Sequence, residues 1–95
     1  MARTVLTVVM CYDVARGKTR RRIARVLEER MVRVQKSVFE ARLDGRAANR
    51  LFARAEAVLD DGDSLRMYVM TRTGLARSRA SGGAPLPEEG AFWLL

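Results

Sequence analysis

"VRVQKSVFEARL", residues 32–43, decides how many strands the sheet can have. Val32, Val34, Val38 and Phe39 are interleaved with Arg33, Gln35, Lys36 and Ser37, the alternation of a half-buried strand. The adjacent Val38 and Phe39 break strict period two, which predicts a bulge or twist at that point. The stretch therefore reads as one clear strand, stopped by the "DG" turn signal at 44–45.

Outward from this strand, residues 4–13 are rich in Val, Thr, Leu, Met and Tyr with little polar alternation, which suits a central strand covered on both faces or nearly so. Ile23, Val26, Leu27 and Met31 fall at helical spacing among Arg and Glu, predicting an amphipathic helix from about Thr19 to Arg30. Leu51, Phe52, Ala55, Val58 and Leu59 mark a second helix, closed by "DDGD" at 60–63, and "SLRMYVMT" (64–71) alternates enough for a further strand. The order is closest to βαββαβ, although 32–43 supplies a single strand and the fourth is missing or late. The expected class is α+β, a ferredoxin-like sandwich with two helices on one face of an antiparallel sheet. Residues 1–72 form its core domain; 73–89, with their Gly, Ser and Pro, read as a flexible connector. "GAFWLL" (90–95) is apolar enough to pair as an edge strand, in its own sheet or on another protomer.

Ninety-five residues make one domain with a modest core. The formal charge is +7, built from sixteen Arg and two Lys against eleven acids. Polyanions are the first partners to consider, because guanidinium groups match phosphate oxygens through a planar fork. Histidine is absent and Cys11 is the only cysteine, which argues against a zinc site, a disulfide framework and a Cys–His nucleophile. The N-terminal apolar run is short and enters a charged segment without a small-residue cleavage site, so it reads as a strand of a cytoplasmic protein. No stretch is long enough to span a membrane.

Chemistry concentrates in "YDVARGKTRRR", residues 12–22. Arg16, Lys18, Arg20, Arg21 and Arg22 crowd the start of a helix, where the macrodipole disfavours cations by about 0.3–1 kcal/mol each. A bound phosphate would offset that cost; a solvated basic face is the alternative. Asp13, at the end of the first strand, is either a turn former or cap, or a ligand for a hard cation. Two copies meeting across a dimer axis could share one ion that polarises a phosphodiester. Tyr12 and Phe39 either pack in the core or stack on a base. Ser37 lacks a base that would make it a nucleophile.

Taken together, "VVMCYDV", "KTRRRIARVLEE", "RVQKSVFEARL" and "DSLRMYVM" resemble the small CRISPR-associated adaptation protein family, the non-integrase partner in spacer acquisition, also known as CRISPR-associated endoribonucleases. The resemblance runs from about Val5 to Met70. It implies a ferredoxin-like homodimer with the Tyr-Asp pair near the twofold axis, and a C-terminal strand added to the partner's sheet. Asp13 matches the family's metal-binding and catalytic acid, implying magnesium (Mg2+), one ion per dimer. Arg20 and Arg22 match basic positions on the first helix; Arg33, Ser37 and Phe39 belong to the second-strand motif, and Tyr12 supports them. Arg16 and Lys18 join the expected nucleic-acid surface. The implied function is a scaffold that binds duplex DNA for spacer integration beside a CRISPR integrase. Magnesium-dependent cleavage of RNA or DNA could accompany it. A toxin-type ribonuclease and a non-catalytic ferredoxin-like RNA-binding domain are the alternatives. Met31 stands where the family commonly has Gly after the first helix, so either strain or a different helix exit is expected there.

Overall fold

The computed structural model describes residues 4–87; "GAFWLL", expected to form an edge strand, lies outside them. Four strands form one antiparallel sheet in the order β2-β3-β1-β4: β1 Val5–Asp13, β2 Val32–Gln35, β3 Val38–Asp44 and β4 Ser64–Met70. Helices α1 (Gly17–Glu28) and α2 (Gly45–Glu56) are the two long ones, and a short α3 (Arg72–Ala76) follows β4. This is the expected ferredoxin-like sandwich.

The stretch 32–43 is not one strand but a hairpin. Lys36 and Ser37 form its turn, and β2 pairs with β3 through Val32–Glu40, Arg33–Phe39 and Gln35–Val38. The fourth strand was hidden because a two-residue turn of Lys and Ser carries no Gly, Asn or Pro. The register shifts between Arg33 and Gln35, so the irregularity expected at Val38–Phe39 lies on the opposite strand.

Strand pleat sorts β1 into two sets. Val8, Met10 and Tyr12 point to the helices and are buried, aligned with Ala41 and Phe39 of β3. Ile23 and Leu27 of α1 and Ala48, Leu51 and Ala55 of α2 close the core above them. Full burial of side chains such as Phe39, Met10, Ile23 and Leu27 contributes about 1.5–3 kcal/mol each. Thr7, Val9, Cys11 and Asp13 point to the face opposite α1 and α2, helix-free in that only the short α3 approaches it, at the Thr7 end; Thr7 is buried there, whereas Val9 and Cys11 are half-buried.

Helix ends explain the shifted boundaries. α2 begins at the "DG" read as a stop: Asp44 ends β3 and caps the helix, its Oδ1 accepting from Ala47 N at 2.7 Å. α2 ends before Val58 and Leu59, which pack against the core from beyond it. At the exit of α1, Glu29 stays in the right-handed region, Met31 N donates to Leu27 O at 2.8 Å, and the Met31 side chain is 4% exposed. Among the described residues no non-glycine has positive φ, so the exit takes the unstrained alternative and turns the Met into core. Arg54 of α2 then grips Glu29 with two hydrogen bonds, 2.6 and 2.8 Å. They hold the Glu29 carboxyl below its ordinary value. This exposed pair contributes above the ordinary carboxylate range and is lost as pH falls through the lowered value.

Candidate nucleic-acid interface

The sheet separates the expected site residues into two groups. Asp13, exposed at the end of β1 and opposite Ser64 of β4, belongs to the helix-free face. Tyr12, Arg33 and Phe39 lie on the helix side, joined there by the start of α1.

On the helix side a groove of about 410 Å³ is lined by Tyr12, Gly17, Arg20, Arg21, Arg33, Lys36 and Ser37. Three elements bring its four cations together: α1 supplies Arg20 and Arg21, β2 supplies Arg33, and the hairpin turn supplies Lys36. No carboxylate is part of the lining. The Arg33 guanidinium carbon stands 5.2 Å from the Phe39 ring centroid, a cation–π contact that fixes the long side chain over the core. Phe39 in turn stacks on Tyr12, centroids 6.1 Å apart. Tyr12 ties the hairpin turn to β1 twice, its amide donating to Ser37 O at 3.1 Å and its hydroxyl to Lys36 O at 3.4 Å. Both rings are buried, so they support the groove from beneath rather than present faces to a base. Gly17 has a steric role: a Cβ there would lie 3.3 Å from guanidinium nitrogens of both Arg20 and Arg21. Arg21 and Lys36 are the lining cations that the sequence left without individual roles. Lys36 was legible only once the hairpin turn was known.

The cost of cations at the start of α1 is offset within the chain. Asp60 Oδ2 accepts from Thr19 Oγ1 at 2.6 Å, and the same carboxylate pairs with Arg16 at 3.4 Å. Asp63 accepts from Ala15 N at 3.2 Å and Asp60 N at 2.9 Å, while Gly62, at φ 86°, turns the loop. Arg20 folds back, donating to Val14 O at 3.1 Å and Ala15 O at 2.6 Å. The "DDGD" loop beyond the second helix thus supplies the negative charge a phosphate was expected to bring. Lys18 and Arg22 are exposed on α1 outside the groove lining, and Arg16 is engaged by Asp60.

Asp60→Ala is expected to cost about 1–3 kcal/mol, because it leaves the buried Thr19 hydroxyl without its acceptor. Thermal unfolding should then shift down by about 4–8 °C per kcal/mol, whereas Asp61→Ala, on an exposed neighbour, should stay within about 0.5 kcal/mol.

Asp13 has the chemistry of a magnesium ligand: an exposed carboxylate at the rigid end of a central strand. Asp60 is committed to Thr19 and Arg16 and Asp63 to the Ala15 and Asp60 amides, and among the described residues no three His, Cys, Asp or Glu side chains cluster to hold a metal. Asp13 therefore fits the ion as a single carboxylate ligand, with its other positions left to groups such as water or substrate phosphate. Among the described residues no helix is long and apolar enough to cross a membrane.

Comparison with known proteins matches residues 6–77 to the family model for CRISPR associated protein Cas2. A CRISPR-associated endoribonuclease Cas2 of Synechocystis sp. is 38% identical over 90 residues, covering 92% of this chain and 96% of its own. A solved hypothetical protein from Thermus thermophilus superposes with TM-score 0.76 at 36% identity, covering 90% of this chain and all of that one. A chain of a partial Cas6-RT-Cas1–Cas2 complex superposes with TM-score 0.71 at 26% identity, covering 88% and 99%.

Proposed function

Because the chain belongs to the CRISPR-associated Cas2 family, we propose that it serves CRISPR adaptation as a dimeric scaffold that grips duplex DNA beside an integrase. The observation that carries this reading is the groove, in which Arg20, Arg21, Arg33 and Lys36 converge without a carboxylate. Such a surface suits phosphate oxygens, which every sequence presents alike. The likeness to a chain in a Cas1–Cas2 complex supports a Cas1-type integrase as the partner. The helix-free face supports the dimer: two copies apposed there would bring Asp13 carboxylates toward one another.

A second activity, magnesium-dependent phosphodiester cleavage of RNA or DNA, is favoured by the exposure of Asp13 and by the endoribonuclease name of the Synechocystis relative. The ion would polarise the scissile phosphate and lower the pKa of a bound water. Within the chain, Asp13 would hold it at a fixed strand end. The groove cations lie on the helix side of the sheet, where they would bind and orient flanking phosphates. A divalent-metal cleavage assay on RNA and duplex DNA separates the roles. Asp13→Asn should abolish cleavage, by at least about a hundredfold, while duplex affinity stays within twofold. Cleavage that survives this substitution would assign the activity to another site or to a contaminant. Loss of duplex affinity with unchanged folding would contradict the separation of carboxylate and groove.

A further inference from the structure

The helix-free face is not bare: the chain after α3 lies across its β2–β3 half. Val34, Gln35, Val38 and Glu40 line one side of a cleft of about 550 Å³, and residues 79–84 and Leu86 line the other, with Pro87 buried beyond it. On the sheet side of this cleft stands Glu40, which none of the roles above uses. It is flanked in register by Val9 on β1 and Val32 on β2, both apolar. Its Oε1 is buried and accepts no hydrogen bond from the described residues.

We propose that Glu40 is a proton-operated latch for the tail, holding residues 79–87 against the sheet when protonated and releasing them when ionised. An ionised carboxylate without a donor costs more to bury than a neutral one. Opening the cleft would return that oxygen to water. Burial already pushes the Glu40 carboxyl above its ordinary value of 4.5. The charged and titratable groups around it do not reverse this. Arg42 stands two residues along on the same face, and Cys11 lies diagonally on β1. Tyr68, hydrogen-bonded by Arg66, stands one strand further, beyond Val9; Arg79 is the tail's own cation in the cleft. The closed form binds the proton more tightly than the open one. Closure is therefore complete below the open-form pKa, weakens as pH rises above it, and levels off past the raised value. Release of the tail would also clear part of the face on which Asp13 stands; that consequence rests on the dimer reading above, whereas the response of the tail to pH does not.

The test is backbone NMR relaxation of the full chain between pH 4 and 8, which reads whether residues 79–84 and 86 are held or free. The ratio of held to released tail should fall as pH rises, about tenfold for each unit separating the closed-form and open-form pKa values. In Glu40→Gln, an isostere without charge, the tail should remain ordered at every pH. Three results would overturn the latch: order independent of pH in the wild type, the same slope in Glu40→Gln, or order that rises with pH. The last would mark an ion pair with Arg79, and Arg79→Ala would then abolish the slope.

Discussion

Replacing Arg21, Arg33 and Lys36 together with Gln should lower affinity for duplex DNA by about a thousandfold at fixed salt and leave the fold intact. Each cation contributes one charge-assisted contact to phosphate, worth about 1.5–3 kcal/mol or roughly tenfold or more. The triple variant removes three of the four groove cations. Arg20 is left in place because its guanidinium also holds the Val14 and Ala15 carbonyls, and its loss would disturb the start of α1. All three replaced side chains are exposed, so circular dichroism and thermal unfolding should change little. Single variants should each reduce affinity by about tenfold, similarly across DNA sequences. Substituting Lys18 and Arg22, which lie outside the groove lining, should cost less. Equal losses from the two sets would move the interface to the outer face of α1.

Phe39→Ala should be the most damaging single change to stability, at about 3–5 kcal/mol. The ring is 0% exposed, pairs in register with Met10 of β1, stacks on Tyr12 and carries the Arg33 guanidinium over it. Truncation leaves a cavity under both β1 and the hairpin. A domain of this size has about 5–15 kcal/mol in total, so denaturant midpoints should fall by a large fraction. Phe39→Leu retains most of the volume and should recover much of the loss, but not the cation–π contact. Its DNA affinity should therefore remain below wild type after stability is restored, which links the core to the position of Arg33.

Much of this architecture is legible in the residues, and its gaps have physical causes. The two helices announce themselves because Ile23, Leu27, Leu51 and Ala55 must share one buried side of each. The hairpin does not, because Lys36-Ser37 is chemically ordinary and the short β2 contributes only Val32–Gln35. α3 is masked by its Gly74 and Thr residues, and forms through the Thr71 cap, whose Oγ1 accepts from Gly74 N at 3.2 Å. On the site, the basic cluster is visible at once, but its division is not. Period two places Tyr12 and Asp13 on opposite faces, so the acid and the arginines that adjoin it in sequence act on different sides of the sheet. The partners of Arg16 and Thr19 come from a loop more than forty residues away, beyond the reach of any local pattern. An RNA-binding surface of the aromatic type is poorly served, since Tyr12 and Phe39 are buried and Tyr68, 51% exposed, stands on the edge strand β4.

The central claim is that this chain grips the DNA backbone through converging cations rather than reading bases. Its most direct test is a titration of duplex binding against salt from about 50 to 200 mM, on unrelated sequences. The logarithm of affinity should fall linearly with the logarithm of salt, by about 0.9 per phosphate neutralised, with little difference among sequences. A flat salt response, or a strong preference for one sequence, would contradict it.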